Sequence, residues 1–214
     1  MKLKTNRQSN HDDVPKLSSE GRGARSGKGA AKREQILADL MLALADGQLR
    51  NPSLREIGQT LAIEPAHILY YFETRETLLQ AVIVRWDEQA RELVGKGDQS
   101  QPFTLDDYAE AIARNIDRPG IVHLYLTFAA EAVDPTHPAH GFFQSRFQNL
   151  RETLSSAIKR EQSEGRIAGI HNPDLQARFL IALADGLQLQ SLVDPELDAP
   201  ADLNAALASL RSKS

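Results

Sequence analysis

Apolar residues recur at three- and four-residue intervals along nearly the whole chain, and this spacing constrains the fold more than any other feature. The first clear stripe runs from Ile36 to Leu44, and similar stripes follow as far as Leu210. Such spacing places the apolar side chains on one face of an amphipathic helix. No segment shows the alternation of apolar and polar residues that is typical of a half-buried strand. The pattern predicts an all-α protein of about nine helices.

Residues that favour helix ends divide these stripes into separate helices. Ser53 and Glu56 have the spacing of a capping box, which predicts a helix start at Ser53. Pro65 and Pro173 suit the first turn of two further helices, because proline there sacrifices no hydrogen bond. Gly47 suits the end of the first helix.

Charge is divided unevenly along the chain. Residues 1–33 contain nine Lys and Arg against three Asp and Glu, although the formal net charge of the whole chain is −4. Residues 1–29 also have few large apolar side chains, so we predict a disordered basic tail there. Such a tail suits a polyanionic partner that is approached from one end. It equally suits a solvated segment that aids solubility, and for insertion of Arg22 and Arg25 into a minor groove we favour this solvated tail.

Several functional classes are excluded or disfavoured. The chain has no cysteine, which excludes disulfides, thiolate zinc sites and a cysteine nucleophile. It has no readable signal peptide and no apolar run long enough to cross a bilayer, so we expect a cytoplasmic protein with no membrane partner. Paired catalytic carboxylates, a nucleophile elbow and a phosphate loop are missing, so we expect no enzyme and no cofactor. Asp134, His137 and His140 are spaced like metal ligands, but the prolines beside them favour a turn, and no metal site is predicted.

Residues 53–72 form two short predicted helices joined by a turn of three or four residues. This is the geometry of a helix-turn-helix, whose second helix enters the major groove of DNA. Helices this short need support, which the stripes at 36–44 and 78–86 would supply. Because any small helical bundle makes such corners, the spacing alone leaves DNA binding and a plain structural corner both open.

Residues 30–90 resemble the TetR (tetracycline repressor) family of bacterial transcriptional regulators. The resemblance continues more loosely to about residue 195. It implies a helix-turn-helix domain at 30–92 and a helical ligand-binding and dimerisation domain at 93–214, with a linker at 95–102. It also implies a homodimeric repressor that binds a pseudo-palindromic operator in double-stranded DNA and is released by a small organic effector. The residues that carry it are Ile36-Leu37, Gly47, Ser53-Leu54, Glu56-Ile57, Ile63, Tyr70-Tyr71-Phe72, Thr74-Arg75-Glu76 and Leu78-Leu79, then Ala130-Glu131-Ala132, Pro138, Phe143, Arg146, Gly165-Arg166-Ile167 and Ala184-Asp185-Gly186-Leu187.

The resemblance assigns the DNA contacts to the two short helices and their neighbours. His67 falls in the first turn of the second helix, where a side chain can reach a base edge, and Ala66 allows close approach to a base. Arg75 matches a basic family residue that opens the fourth helix, so we expect it to contact a phosphate. The predicted DNA-binding residues are Arg33, Ser53, Arg55, Pro65, Ala66, His67, Tyr70, Tyr71 and Arg75.

The sequence departs from the family at two positions of this motif. Glu64 stands where the family often has Ser or Thr, and its carboxylate would repel a phosphate. A common family tyrosine falls at Leu69, while this chain has Tyr70 and Tyr71, so it stays open which of the three faces DNA. Glu64 supports an alternative, a helical ligand-binding or dimerisation module with weak or lost DNA binding.

The resemblance places an effector site and a dimer interface in the second half of the chain. For the effector we expect aromatic walls with a few polar groups, although each candidate could instead be core. For the dimer we expect the last two helices, where Ala182 and Gly186 make a patch of small side chains, unless that patch serves packing within one subunit. The predicted effector residues are Tyr108, His123, Tyr125, Phe128, Phe143, Phe147 and Gln188, and the predicted interface residues are Ala182, Gly186, Leu187, Leu203, Leu207 and Leu210.

Overall fold

The computed structural model describes residues 27–94 and 102–211 of the chain. These residues form nine α-helices and no strand, which confirms the predicted all-α class. None of the described helices combines the length and apolar character that a membrane span requires. The helices are α1 (Gly27–Ala45), α2 (Leu54–Leu61), α3 (Pro65–Phe72), α4 (Arg75–Val94), α5 (Leu105–Ile116), α6 (Pro119–Glu131), α7 (His140–Ser163), α8 (Pro173–Val193) and α9 (Ala199–Arg211).

Helix α1 begins earlier than the sequence predicts. Residues 27–29 were expected in the disordered tail, but they are helical and Gly29 is buried. Packing of the first turn therefore overrides the low helix propensity of glycine. The rest of the predicted tail, residues 1–26, and most of the predicted linker, residues 95–101, lie outside the described residues.

Side-chain caps fix the helix starts as predicted. The Ser53 hydroxyl accepts a hydrogen bond from the Glu56 N–H at 3.3 Å, and the Glu56 carboxylate accepts one from the Ser53 N–H at 2.8 Å. Thr104 and Asp107 form a second capping box at the start of α5. Asn172 caps α8 through two backbone N–H groups. A cap of this kind stabilises a protein by about 1 kcal/mol.

The first buried core joins the N-terminal helices to α6. Helices α1 to α4 bury their apolar faces together, and α6 adds Ile121, Leu124 and Phe128 to the same cluster. The predicted boundary at residues 92–93 divides the chain along its sequence, whereas this core continues across it. The N-terminal helices are therefore supported by a helix of the second half.

The second buried core is formed by α5, α7, α8 and α9. It contains Leu187, Leu203, Leu207 and Leu210, which we predicted at the dimer interface. That prediction is wrong for these four leucines, because α9 packs on α5 and α8 and turns them inward within one chain.

A buried ion-pair cluster closes this second core. Glu161 is only 2% exposed, and its carboxylate accepts two hydrogen bonds of 2.7 Å from the Arg211 guanidinium. The Arg166 guanidinium lies 3.1 Å from the same carboxylate, and Arg211 also donates to Asp106. The ion pairs offset the cost of burying the Glu161 charge and tie the end of α9 to α7 and α5.

The loop between α6 and α7 forms a turn, as predicted for its Asp and His residues. The Asp134 carboxylate accepts two hydrogen bonds of 2.8 Å from Thr136. These bonds lower the pKa of the Asp134 carboxyl. His140 Nδ1 lies 2.8 Å from the Ala132 carbonyl oxygen. In the part of the chain that the structure describes, no group of three or more His, Asp or Glu is arranged to hold a metal ion.

We predict that Gly120→Ala strongly destabilises the protein. A Cβ at Gly120 would lie 2.0 Å from the Leu44 carbonyl oxygen and 3.2 Å from that of Leu49, and backbone atoms cannot move aside as a flexible side chain can. We expect the free energy of unfolding in urea to fall by about 1–3 kcal/mol, as for other overpacked sites. Gly141→Ala is the matched control, since nothing lies within 4 Å of its Cβ position. Equal unfolding midpoints for the two variants would contradict the close contact of α6 with α1.

Candidate DNA-binding interface

Helices α2 and α3 are joined by a tight turn over residues 62–64. Ala62 ends α2 in the left-handed conformation with a φ of 52°, and the Ile63 N–H donates to the Gly58 carbonyl oxygen at 2.9 Å. A Cβ at Gly58 would lie only 2.6 Å from the Ile63 carbonyl oxygen, so the turn folds directly over α2 at glycine. Pro65 then opens α3, as its position in the sequence predicted.

One face of α3 is buried and the other points outward. Ile68 and Phe72 are buried in the first core together with Ile57 of α2. Ala66 and His67 lie on the opposite face and are exposed. The early residues of α3, which would reach base edges, are therefore presented at the surface.

The two tyrosines of α3 have different environments. Tyr70 is 52% exposed, whereas Tyr71 is half-buried and packs against the first core. The Tyr71 ring contacts Tyr70 edge-on at a centroid distance of 5.1 Å and lies 5.3 Å from the His67 ring. Leu69 is half-buried. Of the three residues that the sequence left open, Tyr70 is the one that is exposed and has a hydroxyl.

Arg75 makes contacts within the chain that the sequence did not predict. Its Nε donates to the Pro52 carbonyl oxygen at 2.8 Å, and its Nη2 donates to the side-chain oxygen of Asn51. Its Nη1 lies 3.4 Å from the Glu76 carboxylate and 3.9 Å from that of Glu131. The donors that a phosphate contact requires are engaged in holding α4 against the loop before α2. The structure therefore does not support the predicted phosphate contact at Arg75.

Two more of the predicted phosphate contacts have competing roles. The Arg33 guanidinium lies 4.7 Å from the centre of the Phe72 ring and pairs with Glu34. The Ser53 hydroxyl donates to the Glu56 carboxylate at 2.7 Å, and the hydrogen bonds from Ser53 lower the pKa of Glu56. A phosphate at the start of α2 would therefore meet a carboxylate. Arg55 is exposed.

A polar junction connects α6 to the helix-turn-helix. The Asn51 side-chain amide donates to the Glu131 carboxylate at 2.9 Å, and Asn51 also accepts from Arg75. Glu131 is the last residue of α6, Asn51 precedes α2, and Arg75 opens α4. The end of α6 is thus hydrogen-bonded to the two segments that bracket the motif.

The predicted effector residues divide between the two cores. Phe128 and Phe143 are buried in the first core, where their rings meet at 5.5 Å. Tyr108 is buried in the second core, and the burial raises its pKa. Gln188 is also buried and bonds to Asn115 at 3.3 Å and to the Ala184 carbonyl oxygen at 3.2 Å.

The three remaining predicted effector residues lie closer to solvent. Phe147 is partly exposed, and its ring lies 6.3 Å from that of Phe143. His123 is half-buried, and its Nδ1 is a buried atom with no hydrogen-bond partner among the described residues. Tyr125 lies at the junction of the two cores.

A buried polar cluster surrounds Tyr125. The Arg146 guanidinium makes two hydrogen bonds to the Asp87 carboxylate, at 3.0 and 2.9 Å, and lies 4.7 Å from the centre of the Tyr125 ring. The Tyr125 hydroxyl donates to Asp185 at 3.1 Å, and burial raises the pKa of both groups. Burial would lower the pKa of Arg146, but the Asp87 carboxylate raises it. Nothing in the sequence indicates this cluster, because Asp87 and Arg146 lie 59 residues apart.

An exposed recognition helix held by a helical scaffold defines a helix-turn-helix protein. A family model described as BetI-type transcriptional repressor, C-terminal, matches residues 105–212, half of the chain. The chain therefore belongs to the TetR family of transcriptional regulators. The members of this family are regulators and not enzymes, in agreement with the prediction.

Solved structures show the same fold at low sequence identity. A Rhodococcus sp. protein assigned to the TetR family is 22% identical with a TM-score of 0.65, and the match covers 86% of this chain and 100% of that one. SmeT, the repressor of the Stenotrophomonas maltophilia multidrug efflux pump SmeDEF, is 18% identical with a TM-score of 0.61, covering 85% and 91%. A TetR-family regulator from Marinobacter aquaeolei is 13% identical with a TM-score of 0.62, covering 84% and 88%. No curated protein sequence matches the chain.

We predict that Arg75→Ala and Arg55→Ala have opposite effects. Loss of Arg75 leaves the Pro52 carbonyl and Asn51 without a charged donor, so we expect the free energy of unfolding to fall by about 1–3 kcal/mol. Loss of the exposed Arg55 should leave stability unchanged but reduce the slope of log affinity against log salt by about 0.9, the value for one phosphate contact. Urea unfolding and fluorescence anisotropy with a DNA duplex measure the two quantities. A reduced salt slope for Arg75→Ala at unchanged stability would restore its predicted phosphate contact.

Proposed function

We propose that this protein is a homodimeric transcriptional repressor that binds a pseudo-palindromic operator and releases it when a small organic molecule binds between the helices of its second half. The outward presentation of Ala66, His67 and Tyr70 on α3, above a buried Ile68 and Phe72, is the observation that carries this proposal. Helix-turn-helix proteins place such residues in the major groove. Family membership supports the general activity, and the exposed face of α3 supports the mode of contact.

The exposed residues of α3 differ in what they can recognise. The His67 imidazole can donate to or accept from a base edge, which makes it sensitive to sequence. The Tyr70 hydroxyl can donate to a phosphate oxygen, which is the same for every sequence. The edge-on contact with Tyr71 holds the Tyr70 ring and reduces its freedom before DNA binds.

A stripe of exposed apolar and small residues on α8 supports a dimer. Phe179 is 56% exposed and Val193 is 81% exposed, and nothing lies within 4 Å of a Cβ built on Gly186. The stripe repeats at four- and three-residue spacing, so its members share one face of the helix. Contiguous exposed apolar surface of this kind marks interaction sites in soluble proteins, and a second copy would cover it by two-fold symmetry. The stripe consists of Leu175, Phe179, Ala182, Gly186, Leu189 and Val193.

The polar cluster around Tyr125 is the place where we propose that the effector acts. It joins α4, α6, α7 and α8 through the Arg146–Asp87 and Tyr125–Asp185 hydrogen bonds. A ligand that replaced one of these bonds would move α6, because Tyr125 lies on that helix. The hydrogen bond from Asn51 to Glu131 supplies a route from α6 to the helix-turn-helix.

A charge imbalance favours a second candidate function, a ligand-binding and dimerisation module without DNA binding. Residues 53–73 contain Arg55 as their only Lys or Arg, against Glu56, Glu64 and Glu73. An electrophoretic mobility shift with the DNA upstream of the protein's own gene, at two salt concentrations, separates the candidates. The repressor shifts this DNA more strongly than random DNA at both concentrations, and the alternative module shifts neither.

We predict that His67→Ala changes sequence preference, whereas Tyr70→Phe does not. One base contact is worth about 1–3 kcal/mol of discrimination, so single-base variants of the operator should change in affinity order by about tenfold for His67→Ala. Removal of the hydroxyl in Tyr70→Phe should weaken every duplex by the same factor, about threefold to tenfold. Fluorescence anisotropy with a duplex selected by the wild type and its single-base variants measures both. Equal losses of affinity on all duplexes for His67→Ala would exclude base reading by His67.

We predict that Phe179→Glu combined with Leu189→Glu converts a dimer to a monomer. Two carboxylates on the α8 stripe would face their symmetry copies across the interface, where burial of an unpaired charge is costly. Sedimentation velocity should show half the mass of the wild type. Ile170→Glu is the matched control, since Ile170 is 85% exposed but lies in the α7–α8 loop and not on the stripe. A wild type that is monomeric at micromolar concentration would contradict the interface.

A further inference from the structure

The described part of the helix-turn-helix region is more acidic than a DNA-binding surface requires. Residues 27–94 contain eight Lys and Arg against ten Asp and Glu. Glu64 and Glu73, at the two ends of α3, are both exposed. DNA carries one negative charge per about 1.7 Å of helix axis, so a surface of this composition is repelled unless cations from elsewhere reach the phosphates.

Several cations of this region are engaged within the chain. Arg75 bonds to Pro52 and Asn51, and Arg33 lies over Phe72 and pairs with Glu34. Arg85, on α4, pairs with two glutamates of the same helix. Four exposed cations are few for a protein whose binding depends on counterion release, where six to ten phosphate contacts are typical. The exposed cations of residues 27–94 are Lys28, Arg50, Arg55 and Arg91.

The sequence before α1 contains additional positive charge. Residues 1–26 carry six basic residues, Lys2, Lys4, Arg7, Lys16, Arg22 and Arg25, against Asp12, Asp13 and Glu20. They join the structure at Gly27, six residues before Arg33, whose guanidinium lies over Phe72 at the end of α3. Six helical residues span about 9 Å, so the segment joins the structure beside the recognition helix. Twenty-six residues can reach up to about 90 Å, more than two turns of DNA.

We propose that residues 1–26 form part of the DNA-binding surface, and that their Lys and Arg contact the phosphates that flank the site read by α3. This inference rests on the proposed repressor function and goes beyond it, since it assigns affinity and base reading to different parts of the chain. The basic segment supplies attraction that is independent of sequence. Helix α3 supplies discrimination. A homodimer carries two such segments, one for each side of the operator.

The test uses the full-length protein with all six basic residues of the segment changed to Gln. The probes are a 40-base-pair duplex selected by the wild type and a random duplex of equal length, measured by fluorescence anisotropy from 50 to 200 mM KCl. We expect the salt slope of log affinity to fall by about 0.9 for each phosphate that the variant no longer neutralises, and by at least about two in total, on both duplexes. Affinity at 50 mM should fall at least about tenfold, while the ratio of selected to random affinity stays within about threefold.

Two matched variants control for net charge. Asp12→Asn, Asp13→Asn and Glu20→Gln together change the same segment in the opposite direction, and binding to both duplexes should become tighter. Lys159→Gln removes an exposed cation of α7, far along the chain from the motif, and should leave the salt slope unchanged. Thermal unfolding should be the same for all of these variants, because none alters a core residue.

The outcomes separate this inference from the function on which it rests. If the wild type binds the selected duplex and the Gln variant keeps the wild-type salt slope, the inference is wrong and the repressor function stands. If the Gln variant loses affinity for the selected duplex alone, the segment reads bases and our assignment is wrong. If the wild type binds neither duplex at 50 mM KCl, the repressor function fails and this inference fails with it.

Discussion

The orientation of α3 depends on side chains buried beneath it, because helices of eight residues are not stable in isolation. Ile57, Ile68 and Phe72 anchor α2 and α3 in a core whose other walls are α1, α4 and α6. Close backbone contacts at Gly58 and Gly120 set how near these elements approach. The outward face of the recognition helix is therefore a consequence of burial on its inner face, and any shift of α6 changes the support of that face.

Arginine contacts decide which parts of the surface remain free to meet a polyanion. Arg75 and Arg33 look like phosphate contacts in the sequence, but in the structure they hold α4 and α3 in place. A guanidinium has five donors in a rigid fork, so one residue can join several segments and is then poorly placed to bind an external anion. The same chemistry recurs at Arg211 and Arg146, each of which binds a carboxylate from a distant helix.

The second half of the chain combines two tasks that the sequence did not separate. Helix α9 closes the second core of one chain with its leucines, while the outer face of α8 keeps its apolar residues exposed. The polar cluster between Asp87 and Asp185 lies where the two cores meet. Burial raises the pKa of Asp185, and polar groups at such a junction are costly unless their hydrogen bonds are kept. A ligand that offers replacement bonds could therefore shift the junction at modest cost.

Local sequence determined the elements of this protein, and tertiary structure decided their contacts. The helix class, the capping boxes at Ser53 and Thr104 and the short turn before Pro65 follow from residues no more than four apart, so they were predictable. The partners of Arg75, the Arg146–Asp87 pair and the inward face of α9 join residues 23 to more than 50 positions apart. Apolar periodicity shows that a helix has a buried face, but it cannot show whether that face meets its own chain or a second copy, because both bury the same side chains.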